Sequence, residues 1–351
     1  MEKNKKIRVL IVDDSKIVRD NLVQILEEDI RFEIIATASD PYDAARQIAR
    51  EVPDVITLDL EMPRMNGLTF LRKLMNQHPV PVVIVSSFTA ERKDLGIRAL
   101  SLGAAEIISK PGSREPAEMD NYAVQLREAV FAASMQNIFR QREIWTKAVP
   151  AFGDERIVFR KTDVRTTKLI LIGASTGGTS LIADMLKSLR PDLPPILVVQ
   201  HMPGEFTGAY AKRLNEECSL IVKEAEKNEV LKNGHVYIAN GYYHLLVKKL
   251  ANDYVCDLFD GELVNRHRPS IDVLFNSVAA LASVNAMAVI LTGMGADGAR
   301  GMLELKRRGA ICIAQEERSC VVYGMPKEAV ALDAVTLIGT PGKIVEWMNN
   351  F

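Results

Sequence analysis

Short runs of Val, Ile and Leu, nearly unbroken by polar residues, recur along the chain and alternate with stretches of helical periodicity. That alternation constrains the fold more than any other feature. A run that is apolar at every position, not at every second one, must be buried on both faces, the condition of a strand inside a helix-covered parallel sheet. Ile7–Val12, Glu33–Thr37, Val55–Leu58, Val82–Val85 and Glu106–Ile108 read as five such strands. Ser15, Asp40-Pro41, Asn66-Gly67 and Thr89 are predicted to open the helices between them. Val18, Leu22, Ile25 and Leu26 form the apolar stripe of the first, and a fifth helix, roughly Met119–Phe139, closes the unit. From Lys168 the alternation resumes, with strands expected near Leu169–Gly173, Ile196–Gln200, Leu220–Glu224, His235–Ala239, Ala288–Thr292 and Ala310–Ala314. Tyr243–Leu250 and Tyr254–Phe259 read as an inserted hairpin. The prediction is an α/β protein with two doubly wound parallel sheets. A length of 351 residues also exceeds one ordinary core. The expected units are 1–140 and 168–351, joined by a linker at 141–167 where the alternation lapses around Pro150 and Gly153.

Composition excludes several classes. With 44 Lys and Arg against 45 Asp and Glu, bulk charge gives no attraction to nucleic acid or to a membrane surface. The basic start, Met1–Lys6, leads only into Ile7–Val12, too short for a signal-peptide core or a membrane span. Cys218, Cys256, Cys312 and Cys320 lie far apart without a Cys-x-x-Cys, so no zinc site or disulfide framework is indicated, and a reducing, cytoplasmic setting is expected.

Parallel strands bring their C-terminal ends to one edge, so the residues that follow each strand converge there. In the first unit those residues are Asp13 and Asp14, Asp59, Ser86 and Lys110. Clustered carboxylates repel unless a hard cation joins them, and their oxygens suit Mg²⁺. A carboxylate attacking a phosphoryl donor benefits from that metal, while Lys110 can neutralise a further phosphate oxygen. The Ser86 hydroxyl can turn toward a modified Asp59, which gives a two-state element. Acidic residues at strand ends often only cap helices, but five polar groups at four separate strand ends are hard to explain that way.

In the second unit, Gly173-Ala-Ser175-Thr-Gly177 sets a hydroxyl on a glycine-flanked strand-to-helix turn. His201 follows the next strand, and Asp297 a later one. The chemistry assigns Ser175 as nucleophile, His201 as the base that takes and returns its proton, and Asp297 as the group fixing the imidazole tautomer. Backbone N–H groups around Thr176 and Met294 are candidates for holding an oxyanion. Such a glycine turn is also compatible with a phosphate cradle or a plain tight turn. His267, in a polar loop, is a rival base. Gly293-Met-Gly295-Ala-Asp-Gly298, with Glu316 or Glu317 about 20 residues on, has the spacing of a dinucleotide fingerprint, although it stands near the end of its unit instead of opening it.

Val12-Asp-Asp14, Asp59-Leu-Glu-Met-Pro63 with Asn66-Gly67, Val85-Ser86 and Lys110-Pro111 resemble the receiver domain of two-component response regulators. That resemblance implies Asp59 as phosphoacceptor, Asp13, Asp14 and Asp59 around Mg²⁺, Ser86 and Lys110 as supporting residues, a phosphodonor histidine kinase, and a cis-inclined Lys110-Pro111 bond. Ile107 stands where receivers often carry an aromatic residue. The stretches Ile172-Gly-Ala-Ser-Thr-Gly-Gly178, Gln200-His-Met-Pro203 with Phe206, Arg266-His-Arg-Pro-Ser-Ile-Asp272, Thr292-Gly-Met-Gly-Ala-Asp-Gly298 and Cys320-Val-Val-Tyr-Gly-Met-Pro326 resemble the catalytic domain of the CheB family, chemotaxis protein-glutamate methylesterases. The implied layout is a flavodoxin-like receiver followed by a larger, Rossmann-like methylesterase domain. The implied activity is hydrolysis of glutamate γ-methyl esters on chemoreceptor helices, often with deamidation of glutamines. The implied triad is Ser175, His201 and Asp297, with no cofactor for the hydrolysis. Pro203-Gly204 replaces the family's frequent pair of prolines.

Overall fold

The computed structural model describes residues 6–62, 66–87, 93–112, 115–135, 168–251, 253–281 and 285–351. The chain divides into two compact units, Met1–Ile138 and Phe139–Phe351. The expected linker at 141–167 and the helix start at Thr89 lie outside the described residues.

The first unit runs β1 (Ile7–Val12), α1 (Lys16–Glu27), β2 (Phe32–Ala38), α2 (Pro41–Arg50), β3 (Val55–Leu58), α3 (Gly67–Gln77), β4 (Val82–Ser86), α4 (Lys93–Ser101), β5 (Glu106–Ser109) and α5 (Pro116–Ser134). All pairings are parallel, in the order β2-β1-β3-β4-β5. Three helices start where the sequence indicates. Ser15 accepts from the Val18 N–H, Asp40 from Tyr42 and Asp43, and Asn66 from Leu68, so each cap satisfies N–H groups that a first turn leaves open. Val9, Ile11, Val83 and Val85 of the sheet pack with Leu22 and Leu26 of α1 and Leu126 and Val130 of α5.

The second unit runs β6 (Lys168–Ala174), α6 (Gly178–Lys187), β7 (Ile196–Gln200), α7 (Gly204–Glu217), β8 (Ile221–Glu224), β9 (His235–Ile238), β10 (His244–Leu250), β11 (Asp253–Phe259), α8 (Ile271–Ala279), β12 (Asn285–Ile290), α9 (Ala299–Arg307), β13 (Ile311–Gln315), α10 (Met325–Ala331), β14 (Leu337–Gly339) and α11 (Pro341–Asn349). Seven strands form one parallel sheet, ordered β14-β13-β12-β6-β7-β9-β8. β10 and β11 pair antiparallel as the expected hairpin. It is tied to α8, where Ser277 Oγ accepts from the Val247 N–H at 3.0 Å, and its Leu245, Val247, Tyr254 and Cys256 share a core with Leu274, Phe275 and Val278. β14, α10 and α11 had no counterpart in the sequence reading; β14 is short and exposed at two of its three positions, which leaves no apolar run.

Position in the sheet decides what each loop can reach. Chain order reverses between β1 and β3 in the first unit and between β6 and β12 in the second, and such reversals open a crevice at the strands' C-terminal ends. Among the described residues no helix is long and apolar enough to cross a membrane.

Candidate functional site

In the first unit Asp13 and Asp14 end β1 and Asp59 ends β3, on either side of the reversal. Their nearest carboxylate oxygens all lie within 4.8 Å of one another. Asp13 and Asp59 are 1% and 5% exposed, whereas Asp14 faces solvent. Lys110 reaches across from the end of β5 and donates to Asp13 Oδ2 at 2.7 Å and to Asp59 Oδ2 at 2.6 Å. The other Asp59 oxygen, Oδ1, accepts from Ser86 Oγ at 2.5 Å and from the Glu61 N–H at 3.1 Å. Burial pushes the Asp13 carboxyl up, partly offset by Lys110. Burial also works against the Lys110 charge, but Asp59 and Asp13 outweigh it and raise the ammonium above its ordinary value. Three clustered carboxylates, one open to solvent, are a donor set suited to a hard divalent cation. The Lys110–Pro111 bond is trans, not cis as the resemblance implied, which is the form an X-Pro bond favours by roughly 0.5–1 kcal/mol; the cis bond among the described residues is Arg268–Pro269.

In the second unit the strand register brings Ser175 and His201 side by side. Ala174 pairs with Gln200, and the His201 N–H continues the ladder by donating to Ala174 O at 3.0 Å. On the other flank the Ser175 N–H donates to Thr292 O at 3.0 Å, past the end of β12. A Cβ on Gly293 would lie 2.6 Å from Ser175 Cβ, so only glycine lets this loop lie against the serine. The next residue but one, Gly177, has φ +80° and turns the chain into α6.

Asp297 lies after β12 and is almost fully enclosed by donors. Its Oδ2 accepts from His201 Nε2 at 2.9 Å and from the Ile271 N–H at 2.7 Å. Its Oδ1 accepts from Ser270 Oγ and Asn265 Nδ2, both at 2.7 Å, and from the Asp272 N–H at 3.2 Å. Burial alone would raise this carboxyl, but His201, Ser270 and Asn265 hold it well below the usual carboxylate range. An ionised Asp297 requires the proton on Nε2 of a neutral His201. Its Nδ1 is then a lone-pair nitrogen, and it is buried with no hydrogen-bond partner. No hydrogen bond joins Ser175 Oγ to this nitrogen.

The two oxyanion candidates differ from the serine's own N–H. That group is spent on Thr292 O, whereas neither the Thr176 nor the Met294 N–H has an acceptor among the described hydrogen bonds. Thr292 steadies this corner, its Oγ1 donating to Thr176 O at 3.0 Å and accepting from the Val321 and Val322 N–H groups.

His267 stacks on His201, with ring centroids 3.7 Å apart and planes 11° from parallel. Burial, with His201 beside it, lowers the His267 pKa to about 3. It is therefore a neutral wall for the imidazole through the physiological range. The glycines of the dinucleotide-like loop are taken up by packing: Gly293 O accepts from the Gly324 and Met325 N–H groups, and Asp297 is turned inward. Sequence reasoning assigned no role to Asn265, Ser270 or Asp272. Ser270 precedes a helix and reads as a cap, but its hydroxyl goes to Asp297.

Residues 170–348 match the family model described as CheB methylesterase, and residues 9–119 match the one described as response regulator receiver domain. A protein-glutamate methylesterase/protein-glutamine glutaminase of group 3 operon from Rhodopseudomonas palustris is 48% identical, over 97% of this chain and 96% of its own length. Another, from Oleidesulfovibrio alaskensis, is 46% identical over 95% of this chain and 94% of its own. The solved catalytic domain of Thermotoga maritima CheB methylesterase aligns with a TM-score of 0.51 at 37% identity, covering 52% of this chain and 97% of that domain.

Proposed function

Because the chain belongs to the CheB methylesterase family, with a receiver domain ahead of its hydrolase domain, we propose that it is a protein-glutamate methylesterase and protein-glutamine glutaminase. Its activity is gated by phosphorylation of Asp59. The substrates are γ-methyl esters of glutamate, and glutamines, on the cytoplasmic helices of chemoreceptors. The phosphodonor is a chemotaxis histidine kinase, and the enzyme works in the cytoplasm.

The observation that carries the hydrolase assignment is the state of His201. One nitrogen is fixed on an ionised Asp297, and the other is buried, unpaired and beside the Ser175 strand end. Ser175 Oγ attacks the ester carbon and transfers its proton to His201 Nδ1. The imidazolium that forms is stabilised by Asp297. The Thr176 and Met294 N–H groups are the donors available to the oxyanion; one such donor is typically worth roughly 3 kcal/mol. His201 then protonates the departing methoxide, methanol leaves, and the glutamyl group remains on Ser175. Water attacks that acyl group, gives a proton to His201, and the serine is released with its proton restored. A glutamine follows the same path and releases ammonia.

In the receiver, Asp13, Asp14 and Asp59 would hold Mg²⁺, which when bound supplies positive charge to neutralise a transferring phosphoryl group. Asp59 accepts the phosphoryl group, Lys110 pairs with its oxygens, and Ser86 exchanges its bond to the Asp59 carboxylate for one to the phosphate. Methanol release from membranes carrying methylated chemoreceptors tests both parts. Wild type should be stimulated by a small-molecule phosphodonor. Asp59→Asn should keep the basal rate and lose all stimulation, and Ser175→Ala should release no methanol under either condition. Stimulation that survives in Asp59→Asn would remove the gating role from that residue.

A further inference from the structure

Gln200 ends β7, is 2% exposed, and takes no part in the chemistry described above. Its side-chain Nε2 donates to Ser175 O at 2.9 Å and to His201 O at 3.1 Å. These are the main-chain carbonyls of the proposed nucleophile and the proposed base. The β6–β7 ladder ends just short of them, at the bond from the His201 N–H to Ala174 O. Beyond that point the two chains diverge into their loops, and the Gln200 amide is the next bond that ties them together.

We propose that Gln200 is a positioning residue for hydrolysis: the two N–H groups of its single planar amide fix the spacing of Ser175 and His201. The inference rests on the hydrolase reading above. Two further observations support it. Gln200 Oε1 is buried with no hydrogen-bond partner. A buried acceptor left unsatisfied is unfavourable and uncommon, so the amide is held for what its donors do. Exchanging its nitrogen and oxygen would set Oε1 against two carbonyl oxygens, so the orientation follows from the neighbours. Second, the space beside that oxygen is kept by a glycine. A Cβ on Gly178 would come within 2.3 Å of Gln200 Oε1 and 2.6 Å of Ala174 Cβ. The Ser175 carbonyl also accepts from the Gly178 N–H at 2.8 Å, but the His201 carbonyl has no second donor among the described hydrogen bonds. The base is therefore the partner that depends more on Gln200.

The test uses the full chain as wild type, Gln200→Met, Gln200→Glu and Ser175→Ala. Steady-state hydrolysis is measured on methylated receptor membranes, and covalent labelling of Ser175 by an alkyl fluorophosphonate is timed without receptor. Loss of placement near 1 Å costs on the order of 100-fold, so folded Gln200→Met should lose roughly 30- to 100-fold in kcat with KM within about 3-fold. Labelling should slow by a similar factor. Gln200→Glu, which has the shape but not the donors, should behave the same way. A residue that merely supports the fold would lower the melting temperature and leave kcat per folded site unchanged; that result, or labelling within about 3-fold of wild type, overturns the proposal. Hydrolysis that survives in Ser175→Ala overturns the hydrolase reading itself. Hydrolysis lost there but intact in Gln200→Met overturns the positioning role alone. If neither Gln200 variant folds, hydrogen exchange of the Gln200 side-chain amide in wild type decides. Slow exchange is expected, and free exchange overturns the proposal.

Discussion

The two polar sites occupy equivalent places, each at the reversal of strand order in its own parallel sheet, yet they are in opposite states of completion. In the receiver both carboxylate oxygens of Asp59 are occupied, by Lys110, Ser86 and the Glu61 N–H. In the hydrolase unit Nδ1 of His201, the proposed base, has no hydrogen-bond partner, while its Nε2 is bonded to Asp297. One site has its side-chain oxygens already bonded, with one ammonium set among three carboxylates. The other has its supporting bonds in place and leaves the working atom open. The same sheet edge can serve either purpose, and the side chains on the loops decide which.

The largest effect expected from breaking this contrast is at the open site. Ser175→Ala should lower kcat by about 10⁴- to 10⁶-fold, as removal of a serine nucleophile does elsewhere, with Asp59 phosphorylation unchanged. Asp297→Asn should cost about 10⁴-fold, because the amide no longer dictates which His201 nitrogen carries the proton. Single-turnover assays with radiolabelled methyl ester measure both. At the receiver site, Lys110→Met removes the ammonium between two buried carboxylates and should destabilise the receiver by roughly 3 kcal/mol at pH 7. The Asp13 carboxyl, already pushed up by burial, loses the Lys110 contact that offsets this, so the deficit should shrink as pH falls, and added Mg²⁺ should shrink it too. Urea melts across pH, with and without the metal, would show this.

The smallest effect concerns His267. Its folded pKa of about 3 lies below the ordinary value of 6.5, so the neutral ring is favoured in the fold. The associated stability is complete above pH 6.5 and drains as pH falls toward 3. Between pH 7 and pH 5, wild type should lose about 2 kcal/mol more than His267→Phe. Equal losses would mean the stacked ring titrates normally. Hydrolysis should survive in His267→Phe, since a flat ring still faces His201, and failure there would restore His267 as a candidate base.

Much of this was legible in the sequence because parallel strands write their burial directly into runs such as Lys168–Ala174, and their ends then mark one edge. Ser175, His201, Asp297, Asp13, Asp59, Ser86 and Lys110 could be read from that rule, since each directly follows or closely trails an apolar run. What could not be read depends on side-chain direction. Nothing in Asn265 or Ser270 announces that both donate to a carboxylate contributed by a later loop. Nor does a sequence reveal which imidazole nitrogen faces the acid, or that a glutamine at a strand's last position spends both amide hydrogens on its neighbours' carbonyls.

The strand bearing the serine lies between an early neighbour, β7, and a late one, β12. During synthesis, β6 and β7 emerge together, so a nascent chain can assemble alcohol and imidazole long before the acid exists. Asp297 arrives only when β12 pairs with β6, a contact of high sequence separation and therefore a slow one, after which β13 adds outside β12. On the proposed triad, hydrolytic competence should switch on at that pairing instead of growing with chain length.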